Sequence, residues 1–360
     1  MPFENFLGNP GAAAQVRAAV RDRAGNPTWL LSGPAGVGKT TLALRLGLGL
    51  NCQKPAPEGE FCGECASCQS FRGFDCLPEL IEAGLEYRQA AARTRARELA
   101  PLMVEAHPQI RFFPPDGEML TMAQAREAAR MAQMRPDPGR HWVLILEGFD
   151  RARWMVQSAM LKVLEEPPAG CTLVLLAAHA REVLATVRSR ARVVELGPVD
   201  SGELETWLAG QRPQMKHAEL ELIARLAGGC PGRARELDLA AYRQKREFFM
   251  ACLEALARPG GHMRLFGLTE GMRNQKEGVE TQAEILYSLL QDVVYLKSGH
   301  SLAIRNLDAR GRLEGWAQQI GWNQLTQAVE QLDRLVGLSR RNLNRALAWD
   351  AWTLRLRARA

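Results

Sequence analysis

The sequence lacks any run of about eighteen or more apolar residues, so nothing in it reads as a membrane-spanning helix. Its opening, Met1-Pro2-Phe3-Glu4-Asn5-Phe6, lacks the basic-then-apolar order of a secretory signal. The chain therefore reads as cytoplasmic, with no membrane partner. No internal repeat or low-complexity tract stands out, and 46% hydrophobic with 24% charged residues is ordinary globular composition that argues against disorder. A strong excess of one charge is missing too. The net charge of +6 is modest for 360 residues and spread along them, so it does not by itself mark a nucleic-acid surface. That length suits two or three domains, each burying its own core. Eight cysteines would suggest disulfides in a small secreted domain. Four of them, however, sit in one short cluster of a large chain, which points to metal.

What the sequence does contain is a first half alternating apolar runs with helical patterns. Thr28–Ser32, Trp142–Leu146, Cys171–Leu176 and Arg192–Leu196 read as buried strands of a parallel α/β sheet. After Gly197-Pro198 no further strand is convincing. A small helical unit over Ser201–Tyr242 is interrupted by Gly228-Gly229-Cys230-Pro231-Gly232, and the rest reads as helix. Leu325, Ala328, Val329, Leu332, Leu335 and Val336 recur at helical spacing, as do Leu343, Leu347, Ala351 and Leu354. Such stripes serve internal core or packing against a partner, and most must be core. The expected boundaries put a P-loop domain at 1–198, a helical lid at 199–243 and an all-α domain at 244–360. Linkers are expected near Gly197–Gly202 and at Pro259-Gly260-Gly261.

Gly33-Pro34-Ala35-Gly36-Val37-Gly38-Lys39-Thr40 fits G-x-x-x-x-G-K-[ST] between an apolar strand and a helix expected over Thr41–Leu50. Gly33, Gly36 and Gly38 let backbone N–H groups turn toward phosphate oxygens. Lys39 supplies a cation for the outer phosphates, and Thr40 a hydroxyl for Mg²⁺. ATP or ADP is the expected ligand, with a relic loop that no longer binds nucleotide as the competing reading. Cys52, Cys62, Cys65 and Cys68 give C-x9-C-x2-C-x2-C, a knuckle able to close a tetrahedron around structural Zn²⁺. An iron–sulfur cluster or free thiols compete with zinc. Cys76, Cys171, Cys230 and Cys252 are scattered and read as buried fillers.

A zinc knuckle placed directly after the P-loop helix resembles the bacterial clamp-loader ATPases of the AAA+ class. Ser158–Pro168 resembles that family's helix ending in L-L-K-x-L-E-E-P-P, and Thr186–Ala191 its S-R-C motif, with Ala191 for cysteine. The likeness runs from Phe6-Leu7-Gly8-Asn9 to about Arg235. One departure is an extra stretch, about Cys76 to Glu105, that the family pattern does not require. The resemblance implies a hetero-pentameric ring with gamma/tau and delta subunits that places a sliding clamp on primer–template DNA, and an all-α collar at 244–360. It also implies that Arg190 is an arginine finger offered in trans to a neighbour's ATP. For an arginine taken at random, a surface salt bridge would be the ordinary reading.

The same resemblance separates ATP-hydrolysing motors of the gamma/tau kind from a non-hydrolysing stator. A motor's strand would end in Asp-Glu, one for Mg²⁺ and one to activate water. Here Glu147 and Gly148 stand there, leaving Glu147 a longer reach to the metal. Ala177 and Ala178 occupy the polar sensor stretch, and Gly229-Cys230-Pro231-Gly232-Arg233 replaces G-S-x-R. Little or no intrinsic ATPase is expected; a gamma/tau-type motor is the alternative. Two other classes fare worse. A zinc-ribbon DNA-binding module would need basic residues, yet the knuckle carries Glu58, Glu60 and Glu64 against Lys54. A small-molecule kinase would leave the helical C-terminal third unexplained.

Overall fold

Each apolar run read as a strand is one, and two shorter strands join them. A computed structural model of the chain describes residues 6–22, 28–91, 101–257, 279–339, 349 and 352. The strands are β1 (Thr28–Ser32), β2 (Val104–His107), β3 (Ile110–Phe113), β4 (Trp142–Glu147), β5 (Cys171–Ala177) and β6 (Ala191–Glu195). They form one sheet in the order β2-β3-β4-β5-β1-β6. Every neighbouring pair is parallel except β2 and β3. The parallel expectation thus holds for five strands and misses an antiparallel edge. Four residues each are too few for β2 and β3 to show a period.

The chain divides into two compact units, Met1–Leu204 with Cys230–Arg233, and Glu205–Gly229 with Ala234–Ala360. In the first, β1 and β5 are buried along their whole length, so apolar side chains feed two cores. Trp29 and Leu31 face a layer with α1 (Pro10–Asp22) and α2 (Lys39–Asn51), while Leu30 faces the opposite layer. That second layer includes α5 (Met122–Ala132), α6 (Trp154–Ala159), α7 (Leu161–Glu165) and α8 (Ala185–Arg188). A capping box starts α5: Thr121 accepts from the Gln124 amide, and the Gln124 side chain accepts from the Thr121 amide. The helix expected across Ser158–Pro168 is broken into α6 and α7, joined at fully buried Met160. The helix after the P-loop starts earlier than expected, at Lys39, because the loop delivers its backbone already turned. Two further helices, α3 (Ala66–Gln69) and α4 (Leu77–Ala91), lie in the connection between α2 and β2.

Beyond β6 the described residues contain helices and no strand. These are α9 (Ser201–Gln211), α10 (His217–Leu226), α11 (Pro231–Glu236), α12 (Leu239–Ala257), α13 (Val279–Lys297), α14 (Arg310–Gln319) and α15 (Trp322–Ser339). In α15, Leu325, Ala328, Leu332 and Leu335 are buried and Val329 and Val336 are half-buried, so that stripe is core. Leu343, Leu347, Ala351, Leu354 and the Pro259-Gly260-Gly261 linker lie outside the described residues. No described helix is long and apolar enough to cross a membrane.

The helical unit also buries a polar network. Asp292 is fully buried and accepts from the backbone amides of Arg305 (2.7 Å) and Asn306 (2.8 Å) and from Asn306 Nδ2 (2.7 Å). Asn306 in turn accepts from Tyr242 (2.8 Å) and Arg246 (3.1 Å). Arg246 grips Asp308 with two bonds of 2.6 and 2.9 Å. Two helices, α12 and α13, and the loop before α14 are thereby tied at one point.

Candidate functional site

The buried strand β1 leads straight into the phosphate loop, and α2 begins at Lys39 with left-handed Gly38 as its N-cap. The loop brings Gly33, Gly36, Gly38, Lys39 and Thr40 together as the motif requires. The Lys39 ammonium folds back to donate to the carbonyls of Gly33 (2.6 Å) and Pro34 (2.9 Å). A phosphate would have to take over those bonds. Gly36 has φ +78°, and a Cβ there would stand 2.8 Å from the Arg233 nitrogen. The Gly232 amide donates to the Gly36 carbonyl at 2.8 Å, so the 232–233 backbone rests on the loop itself. On the other side the Phe6 ring lies against Gly38.

Glu147, at the end of β4, faces Lys39. Burial pushes the Glu147 carboxyl up from its ordinary value, and the charges of Lys39 and Arg151 oppose that rise. Burial likewise lowers the Lys39 ammonium, against the pull of Glu147 and Asp150. Each charge thus opposes the effect of burial on the other. The next residue, Gly148, has φ +68°, and a Cβ on it would meet Arg151 Nη2 at 3.2 Å and Pro115 Cγ at 3.3 Å. Pattern reading missed Asp150. Its buried side chain accepts from the Ala178 amide (2.9 Å) and the His179 amide (3.2 Å), tying the exit of β4 to the sensor stretch after β5. Its other oxygen is buried without a partner. Nothing in the sequence sets that aspartate apart from an exposed one.

The four clustered cysteines come together as their spacing implies. Their sulfurs all lie within 4.8 Å of one another, with Cys52 and Cys62 at 3.6 Å and Cys62 and Cys68 at 4.0 Å. A tetrahedral centre with Zn–S of about 2.3 Å needs sulfurs about 3.8 Å apart, so the set fits one metal ion. Amides of Cys62, Cys65 and Cys68 donate to the sulfurs of Cys52, Cys62 and Cys65 at 3.3–3.4 Å, as second-layer support for thiolates. Burial pushes the Cys52 and Cys68 thiols up. It opposes ionisation of Cys65 as well, but the Cys68 and Gln53 amides and neighbouring thiols bring that group down to about 6.

The knuckle is docked on its own unit. His107 accepts from the Gln109 amide at Nδ1, which leaves Nε2–H to donate to the Ser67 carbonyl at 3.0 Å. The Arg72 amide donates to Ala106 at 3.2 Å. Glu60 pairs with Arg17 at 2.9 Å, so one of the acidic residues weighed against a phosphate surface is spent inside the protein. Cys171 and Cys230 are buried as expected. Cys76 is not: it is half-exposed and donates to the Arg72 carbonyl. The Cys252 side chain lies outside the described residues.

Arg190 stands between α8 and β6. Its Nη1 donates to the Thr186 carbonyl (2.8 Å) and to Ser189 Oγ (3.3 Å), and its Nη2 pairs with Glu165 at 2.6 Å. Side-chain exposures of 35% for Arg190 and 48% for Glu165 leave the pair open to solvent. Among the described residues Arg190 makes no hydrogen bond to the phosphate loop.

Two family models match. One is described as DNA polymerase III, delta subunit, over residues 80–200, and the other as DNA polymerase III, delta subunit, C terminal, over 241–358. The first begins inside the stretch from about Cys76 to Glu105 that the family pattern does not require. The delta-prime subunit of Pseudomonas aeruginosa is 29% identical over 222 residues, covering 61% of this chain and 57% of that protein. The Escherichia coli delta-prime subunit is 26% identical over 327 residues, covering 88% and 86%. The tau subunit of Bacillus subtilis is 23% identical over 231 residues, covering 63% of this chain and 35% of its own. The chain thus spans little more than half of the Pseudomonas protein and about a third of the Bacillus one. A gamma-subunit-related structure from Thermotoga maritima covers 96% of this chain and 99% of its own at 16% identity and a TM-score of 0.43, too loose to carry an argument. Matched in both its sheet-bearing and its helical parts by DNA polymerase III delta-subunit models, the chain is a relative of the delta-prime subunits of that polymerase.

Proposed function

We propose that this chain is the stator of a clamp loader, a delta-prime subunit that hydrolyses little or no ATP itself and lends Arg190 in trans to ATP on a neighbouring subunit. It joins gamma/tau and delta subunits in a hetero-pentameric cytoplasmic ring that loads a sliding clamp onto primer–template DNA. In this reading residues 1–198 are the P-loop domain, 199–243 the lid and 244–360 the collar. Cys52, Cys62, Cys65 and Cys68 hold a structural Zn²⁺, which has no open position for chemistry. Gly33, Gly36, Gly38, Lys39, Thr40 and Glu147 hold ATP or ADP with Mg²⁺ statically.

The observation that carries the reading is the exit of β4. A hydrolytic site needs a carboxylate to polarise water, and position 148 is a left-handed glycine backed by Arg151. A gamma/tau-type motor remains the second reading, favoured by the complete phosphate loop. The two differ in the turnover of the isolated chain. Phosphate release by the unaltered chain is expected to stay at background, and Gly148→Glu to leave it there, because the side chain would start strained and its carboxylate would pair with Arg151. Steady turnover by the unaltered chain, lost with Lys39→Ala, would favour the motor.

The arginine is tested in a ring reconstituted with gamma/tau and delta subunits. Arg190→Ala is expected to lower DNA-stimulated ATP turnover at the neighbour's site by at least about tenfold, with the ring still assembling on gel filtration. Unchanged turnover and clamp placement would refute the reading.

A further inference from the structure

The segments from α6 to Pro168 and from α8 to β6 are joined by the ion pair of Glu165 with Arg190. We infer that Glu165 is a positioning residue that aims Arg190; this rests on the proposed role of that arginine. A guanidinium on a long side chain has many rotamers, and a charge delivered across a subunit boundary acts only if it waits in the right place. Arg190 is held on two sides. Its Nη1 is engaged by Thr186 and Ser189 from its own turn, and its Nη2 by Glu165 from a different helix. No hydrogen bond to Nε–H occurs among the described residues, and the side chain is 35% exposed.

Glu165 is itself fixed. It is the last residue of α7, and Pro167 disfavours helical backbone at Glu166, where φ is −129° and ψ 70°. The alternative role, a latch that keeps Arg190 from a neighbour's phosphate, needs a strong pair. With both side chains open to water the pair is screened and weak, enough to bias a rotamer and too little to outbid a triphosphate.

The reconstituted ring tests this with four proteins: wild type, Glu165→Ala, Glu165→Gln and Arg190→Ala, plus the Glu165→Ala change made on Arg190→Ala. Glu165→Ala is expected to lower kcat at the neighbour's site about threefold with KM unchanged. Glu165→Gln keeps an oxygen that accepts from Arg190 and should recover most of the loss. On the Arg190→Ala background the alanine change should do nothing further. Unchanged or raised turnover with Glu165→Ala, a rise in KM instead, or an equal loss on the Arg190→Ala background would overturn the positioning role alone. No effect of Arg190→Ala would overturn it together with the function it rests on. Melting of each isolated chain checks that the half-exposed position leaves the fold intact.

Discussion

Asp292→Ala should lower the midpoint of thermal unfolding of the helical unit by about 10 °C. The carboxylate is fully out of water and receives three N–H groups, two from the backbone of Arg305 and Asn306 and one from the Asn306 side chain. Removing it strands the two backbone amides, each costing about 1–3 kcal/mol, for a total of roughly 2–6 kcal/mol, while Asn306 Nδ2 keeps its bond to Ser288 Oγ. A domain of this size loses about 2–4 °C for each kcal/mol. Asp292→Asn keeps one acceptor and should fall between. Calorimetry on the full chain measures this, and a shift under about 2 °C would show that the network is not holding the unit together. The neighbouring pair adds a pH signature. Burial works to raise the Asp308 carboxyl, but bonds and charge from Arg246 and then Arg243 hold it below the usual carboxylate range. A group depressed on folding contributes stability above its unfolded value and loses it as pH falls through the folded one. Asp308→Asn should therefore cost stability at neutral pH, and the gap to wild type should close below about pH 4.

Stripping metal should have the other large effect. With a strong chelator, or with Cys65→Ser, the segment 52–76 is expected to become the first site of proteolytic cleavage, and metal content should drop from about one zinc per chain. Zinc in a four-cysteine site contributes about 10–16 kcal/mol in small peptides, and here most of that would stabilise the knuckle alone. Without a cation the crowded thiols cannot all ionise, as the raised Cys52 and Cys68 beside a lowered Cys65 indicate. What would remain is a set of peripheral ties: Arg17 with Glu60, His107 with Ser67, and the edge-to-face rings of Phe71 and Phe74 at 4.9 Å. Limited proteolysis with mass spectrometry, beside metal analysis, reads both. Equal resistance with and without metal would exclude a structural ion.

Where chemistry depends on neighbours in sequence, the chain was legible. The phosphate loop and the cysteine knuckle are local patterns, and local backbone geometry brings their atoms together. Long apolar strands such as Cys171–Ala177 were equally plain, because seven consecutive buried residues leave few alternatives. The failures are non-local. Ile110–Phe113 is a strand because β4 is waiting beside it, with Ile110 opposite Val143, and Val104–His107 is one because β3 is. Asp150 matters because β5 ends where its carboxylate points. Glu60 looked like surface charge until α1 supplied Arg17. Spacing cannot report a partner that lies a hundred residues away.

The order of strands in the sheet also governs the birth of this protein on the ribosome. β1 is made early but hydrogen-bonds to β5 and β6, whose first residues, 171 and 191, follow Thr28 by 143 and 163 positions. During that interval the apolar length of α2, from Leu42 to Leu48, has no sheet to cover it, and such surface invites aggregation. Its nearby companions are α1 before it and the cysteine loop after it, both of which pack on α2 in the finished fold. A metal ion that closes that loop as soon as it emerges would give the nascent helix a temporary roof, so a chain made without metal would be lost to aggregation during its synthesis rather than after it.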